Sequence, residues 1–196
     1  SSALVKRVPP RTQAHPTTGA GARSQAGPTP DAGAPNHYRQ LMGSAAITAQ
    51  LDTEFGETIV AAARGLDPLR ARAVLARRFP EVDADLLLAA TAQASLAAQA
   101  EPRFGDRAWR LLWTADGLAQ ASHPGIAKYR AQRMAALGVR SAADLTCGLG
   151  IDLLALADAG IDMVGVESDV NVAELARRNA DRHSASRCLT SRGKTD

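Results

Sequence analysis

Residues 141–169 read SAADLTCGLGIDLLALADAGIDMVGVESD, and this stretch leaves the chain few ways to fold. Ala142 to Leu145 is a short apolar run carrying one acid, Asp144, and it leads into Thr146, Cys147, Gly148, Leu149 and Gly150. A strand that stops at a glycine-bearing turn has this form. Ile151, Leu154, Ala155 and Asp158 then recur at helical spacing, with Asp152 in the first turn, where a carboxylate suits the positive end of the helix dipole. Gly160 predicts the end of that helix. Met163 to Val166 is a second apolar run, of the kind expected for a strand buried on both faces, and Glu167 stands at its carboxyl end. The order is strand, glycine turn, helix, strand, acid.

Such a unit can make a pocket. Gly148 and Gly150 remove side chains where a ligand would lie against the backbone, and N–H groups at the helix start can face an anion. Glu167, 17 residues beyond Gly150, is expected to project toward the same crevice, where a carboxylate can accept both hydroxyls of a ribose. A nucleoside-containing cofactor fits these features. The dinucleotide fingerprint wants a third glycine three residues after the second, and Leu153 occupies that place. The turn is also short for a pyrophosphate, and no Walker lysine lies near it.

At these residues the chain resembles a known family. D-L-T-C-G-L-G at 144–150, followed by V-G-V-E at 164–167, is similar to motif I and the acid that follows it in class I S-adenosylmethionine-dependent methyltransferases. Thr146 stands where many members have their first glycine. Upstream, W-T-A-D-G-L-A-Q-A-S at 113–122 and K-Y-R-A-Q-R-M-A-A-L-G at 128–138 resemble bacterial methyltransferases that carry a THUMP-like domain after the catalytic domain. The likeness covers roughly Asn36 to Asp181. It implies S-adenosylmethionine as cofactor, with Asp144 and the turn residues Thr146, Cys147, Gly148 and Gly150 at its methionine end and Glu167 at its ribose. The Cys147 thiol itself is expected to pack, and Asp169 to cap the next helix, Asn171 to Asn179. An RNA substrate is implied only through the family's THUMP-like domain, of which these residues hold no counterpart.

The basic balance of the chain, +3 over 196 residues, tempts one toward nucleic acid, but its distribution opposes that. Residues 1–35 carry +3 and residues 182–196 carry +3, whereas residues 36–181 carry −3. The basicity lies in the two ends and marks no binding face on the middle. Residues 1–35 hold six of the ten prolines and little that could be buried, so a disordered leader is expected there. Two cysteines, Cys147 and Cys188, predict a reducing, cytoplasmic setting. His15, His37, His123 and His183 are scattered and read as no metal site. No apolar run approaches the roughly 20 residues of a membrane span.

Residues 36–138 read as an alanine-rich helical subdomain. Ile47, Leu51, Phe55 and Ile59 are spaced by four, and Asp67 and Pro68 cap and open a helix that Pro80 stops. A third helix begins near Asp83 and runs to about Gln99. Arg70, Arg72, Arg77 and Arg78 scatter round their helix and predict a solvated face. Trp109 and Trp113, four apart, are expected to share one helix face as core. Lys128, Arg130 and Arg133 precede the first strand, and any of them could approach a cofactor carboxylate.

The expected architecture is α/β: the start of a Rossmann-like class I methyltransferase sheet, residues 139–181, preceded by the helical subdomain. Only two parallel strands are legible. Residues 182–196 show neither period and are expected to be an unstructured tail, and the acid-Pro-Pro type of motif that supplies catalytic residues in many members does not occur. The chain thus reads as a truncated methyltransferase holding the cofactor half, with catalytic residues unknown and little or no turnover. Two other classes compete: an NAD(P)-dependent oxidoreductase, and a non-catalytic helical interaction module.

Overall fold

Polar caps decide where the helices start in the computed structural model, which describes residue 41, residues 44–183 and the backbone of residues 188–192. The expectation for residues 1–35 lies outside the described residues. Helices α1 (Ala45–Leu51) and α2 (Glu54–Ala62) divide the stripe of apolar residues spaced by four. The division falls at Thr53, whose hydroxyl accepts the Gly56 N–H at 3.0 Å and so begins a new helix. Asp67 caps α3 (Pro68–Arg78) by accepting the Leu69 N–H at 3.1 Å, and Pro68 takes the first position as predicted. Its four arginines are all exposed.

Asp83 accepts the Asp85 N–H at 2.8 Å and opens α4 (Ala84–Phe104), which passes the expected end near Gln99 and contains Pro102. Tertiary packing overrides the proline there: Ala100 is buried, and Phe104 packs on Trp113 with ring centroids 5.0 Å apart. A 3-10 segment (Gly105–Arg110) and an extended stretch follow, so Trp109 and Trp113 do not share a helix face. Trp113 is nevertheless core, at 0% exposure, and its indole N–H donates to the Ala108 carbonyl at 2.8 Å. Next come α5 (Ala115–Gln120) and α6 (Pro124–Ala136), capped by Thr114 and His123.

The remaining elements are β1 (Ser141–Asp144), α7 (Ile151–Asp158), β2 (Asp162–Glu167), α8 (Val170–Arg182) and β3 (Cys188–Arg192). Asp169 caps α8 as expected, accepting from Asn171 at 2.8 Å and Val172 at 3.2 Å, and the helix runs one turn beyond its predicted end. The strands form one parallel sheet in the order β1-β2-β3, with Asp144 opposite Gly165 and Met163 opposite Cys188.

Two expectations are corrected by the sheet. Residues 182–196 were expected to lack regular structure, yet Cys188–Arg192 pairs with β2 along five positions. The five residues CLTSR are too few and too mixed to carry a readable period, and their strand character comes from the open backbone of β2 beside them. Strand β2 was expected to be buried on both faces, but only one is covered. Met163 and Gly165 lie under α7, while Val164 on the opposite face is 40% exposed.

One hydrophobic cluster joins the helical part to the βα unit: Leu51, Ile59, Leu75 and Trp113 share it with Leu149, Leu154 and Leu175. A smaller one, including Ala131, Leu153, Leu156 and Met163, lies between α6, α7 and the sheet. Asp52, between α1 and α2, accepts from Arg178 at 2.7 Å and also pairs with Arg182, both on α8. The described residues thus fall in a single unit. Among the described residues, no helix is long and apolar enough to cross a membrane.

Candidate functional site at the bend after the first strand

The bend joining β1 to α7 is shaped by two glycines with positive φ, Gly148 at 53° and Gly150 at 84°. A side chain is strained in this conformation. Gly150 begins α7 with no side-chain cap, so the first N–H groups of the helix are left to other partners. Among the described residues, apart from its chain neighbours, no atom lies within 4 Å of where a Cβ on Gly148 would stand, so the space over the bend is open to them.

Glu167, at the carboxyl end of β2, is turned toward this bend. Its Oε2 accepts the Gly148 N–H at 3.1 Å, 19 residues away in sequence. Its Oε1 accepts from the Asp169 N–H at 3.0 Å and the Ser168 hydroxyl at 3.2 Å. A carboxylate has about four acceptor positions, so the three bonds leave capacity for a further donor. Asp144 accepts the Thr146 N–H at 3.0 Å and thereby fixes the entry to the bend. Thr146 is exposed, whereas Cys147 is buried in the smaller cluster and its N–H donates to the Val166 carbonyl at 3.1 Å. The sequence-predicted residues therefore gather at one place, with the Cys147 side chain serving the core.

Behind the bend lie residues that the sequence reading did not single out for it. The side chain of Asn179, on α8, is fully buried and accepts the Leu112 N–H at 2.7 Å. It donates to the carbonyls of Leu112 and Leu149, both at 3.1 Å. Gln93 does the same for the next residue, accepting from Trp113 N–H at 3.0 Å and donating to its carbonyl at 2.6 Å. Two residues of extended chain and the bend are thus clamped by side-chain amides. Gly117 and Gly165 give the bend room: a Cβ on Gly117 would fall 2.4 Å from Leu149 Cδ1, and one on Gly165 would fall 2.5 Å from Leu153 Cδ1. A lone polar residue inside the apolar stripe of α8 was the available signal for Asn179.

Beside the first turn of α7, Asp152 accepts the Ser122 hydroxyl at 2.6 Å and Arg130 Nη1 at 3.1 Å. Of the three basic residues on α6 considered from sequence, Arg130 is therefore the one tied to the start of α7. Arg133 donates instead to the Tyr129 hydroxyl at 3.2 Å. Among the described residues, no group of three or more His, Cys, Asp or Glu side chains could hold a metal ion.

Compared with family models, with curated proteins and with solved structures, the chain matches none.

Proposed function

We propose that this chain binds S-adenosylmethionine and is the cofactor-holding part of a class I methyltransferase with a Rossmann-like sheet. The observation that carries the reading is the Glu167 carboxylate bonded to the Gly148 N–H beneath open space. An adenosine ribose above the bend would use the remaining acceptor capacity of Glu167. The amino-acid end would lie toward Asp144, Thr146 and the uncapped start of α7, with Arg130, which is held at that start by Asp152, as the candidate for its carboxylate. When bound, the cofactor supplies an electrophilic methyl group to a substrate nitrogen, oxygen or carbon. The chain's own residues orient it, and that positioning is the principal means of acceleration in the reading.

A nicotinamide dinucleotide suits the site less well. Leu153 fills the place of the third glycine and packs, fully buried, against Gly165, so that face of α7 is closed. An RNA substrate enters the proposal only through the THUMP-like domain of the family it resembles, and the cytoplasmic setting through the two cysteines. A purely helical interaction module is disfavoured by the core that the helices share with the bend.

Calorimetry with S-adenosylhomocysteine on the protein tests the reading. Glu167→Ala should remove a charge-assisted contact of about 1.5 to 3 kcal/mol, about 10- to 150-fold in affinity, with the fold retained. Equal affinity in both proteins, or no binding to the folded wild type, would refute it.

A further inference from the structure

A cavity of about 530 Å³ lies between the last turn of α4, the 3-10 segment and one stripe each of α6 and α7. Its walls include Phe104, Leu111, Ile151 and Leu154, and it follows α7 down to Asp158, at the helix end away from Gly150. Residues 146–150 of the bend take no part in them. The size, and the position between helices, suit a small ligand.

The cavity is electrically lopsided. Arg107 is engaged by Asp158 at 3.0 Å, and that carboxylate also holds His183 at 2.6 Å. Arg103 and Lys128 also line the cavity, and among the described residues neither forms an ion pair. Arg103 donates to the Leu118 carbonyl at 2.6 Å and stands 5.2 Å from the Phe104 ring centroid, contacts that supply no carboxylate for its charge. Two such cations lining the same cavity as Phe104, Leu111, Ile151 and Leu154 repel a cationic ligand. A neutral apolar ligand would desolvate them without offering a partner.

We propose that this cavity binds a small amphipathic anion: one carboxylate-type head met by Arg103 and Lys128, and an aryl or acyl body against Phe104, Leu111, Ile151 and Leu154. The site is separate from the bend and independent of the methyltransferase reading.

Calorimetry on the whole chain with 1-naphthoate, octanoate and the neutral 1-naphthalenemethanol tests it. The expected result is saturable binding of at least one anion at a single site, with the alcohol at least about tenfold weaker. A preference for naphthoate identifies an aryl body, and a preference for octanoate an acyl one. Lys128 is exposed on α6, so Lys128→Gln should keep the circular dichroism of the wild type while weakening the anion about tenfold. Lys128→Arg should restore binding, and Glu167→Ala should leave it unchanged. No saturation by either anion at millimolar concentration, equal binding of the alcohol, or an unaffected Lys128→Gln protein would each overturn the proposal.

Discussion

Asn179 has 0% exposure, so its partners are shut off from solvent. Asn179→Leu keeps the volume roughly constant but leaves the Leu112 N–H and the carbonyls of Leu112 and Leu149 without that amide. The expected cost is about 3 kcal/mol, read as a lower urea midpoint at unchanged slope. An unchanged midpoint would mean that these groups find other partners. At this scale the sequence was legible where the physics is local. Gly148 and Gly150 announce a turn by themselves, and Asp67, Asp83 and Asp169 announce helix starts because a cap acts within three residues. Asn179 and Gly165 were not legible in their roles. What each does is set by a neighbour distant in sequence, Leu112 in one case and Leu153 in the other.

Helix α8 has the clearest division of labour among the elements. Its inward face, with Leu175, Ala176 and Ala180, is core, and its flank carries Arg178 and Arg182 to Asp52. These three side chains are only 15%, 12% and 16% exposed, respectively, so the pairing is shielded from solvent. Asp52→Ala removes the carboxylate that two partly desolvated guanidinium groups share, leaving Arg178 to Glu174 and Arg182 to Glu57, and should lower stability by about 2 kcal/mol in chemical denaturation. A loss below about 1 kcal/mol would instead class the contact with ordinary surface pairs. The apolar period of α8 made its existence plain, and its attachment to α1 and α2 was invisible because 126 residues separate Arg178 from Asp52. Strand β3 was missed for the complementary reason that its strand character derives from pairing with β2.

For the molecule as a whole, acid should be destabilising. Burial tends to raise the Asp158 carboxyl, but hydrogen bonds from His183 and Arg107, with their charges, outweigh it and hold the group below its ordinary 3.8. Glu174 is held below its ordinary 4.5, first by the hydrogen bond from Arg177, against an opposing effect of burial. A carboxyl lowered in the folded state contributes stability above its unfolded value and loses it as pH falls through the folded one. Urea midpoints should therefore decline as pH drops from about 4.5, and Asp158→Asn with Glu174→Gln should flatten that decline. An unaltered slope in the double variant would place the acid sensitivity elsewhere. The clamped run Leu112 and Trp113 has a practical corollary. Asn179 grips both the bend and Leu112, and the adjoining Trp113 indole is sealed from solvent, so the protein carries its own optical reporter. In a Trp109→Phe background, filling the bend with S-adenosylhomocysteine should shift the remaining emission. Silence during calorimetrically detected binding would show that movement at Leu149 never reaches the ring.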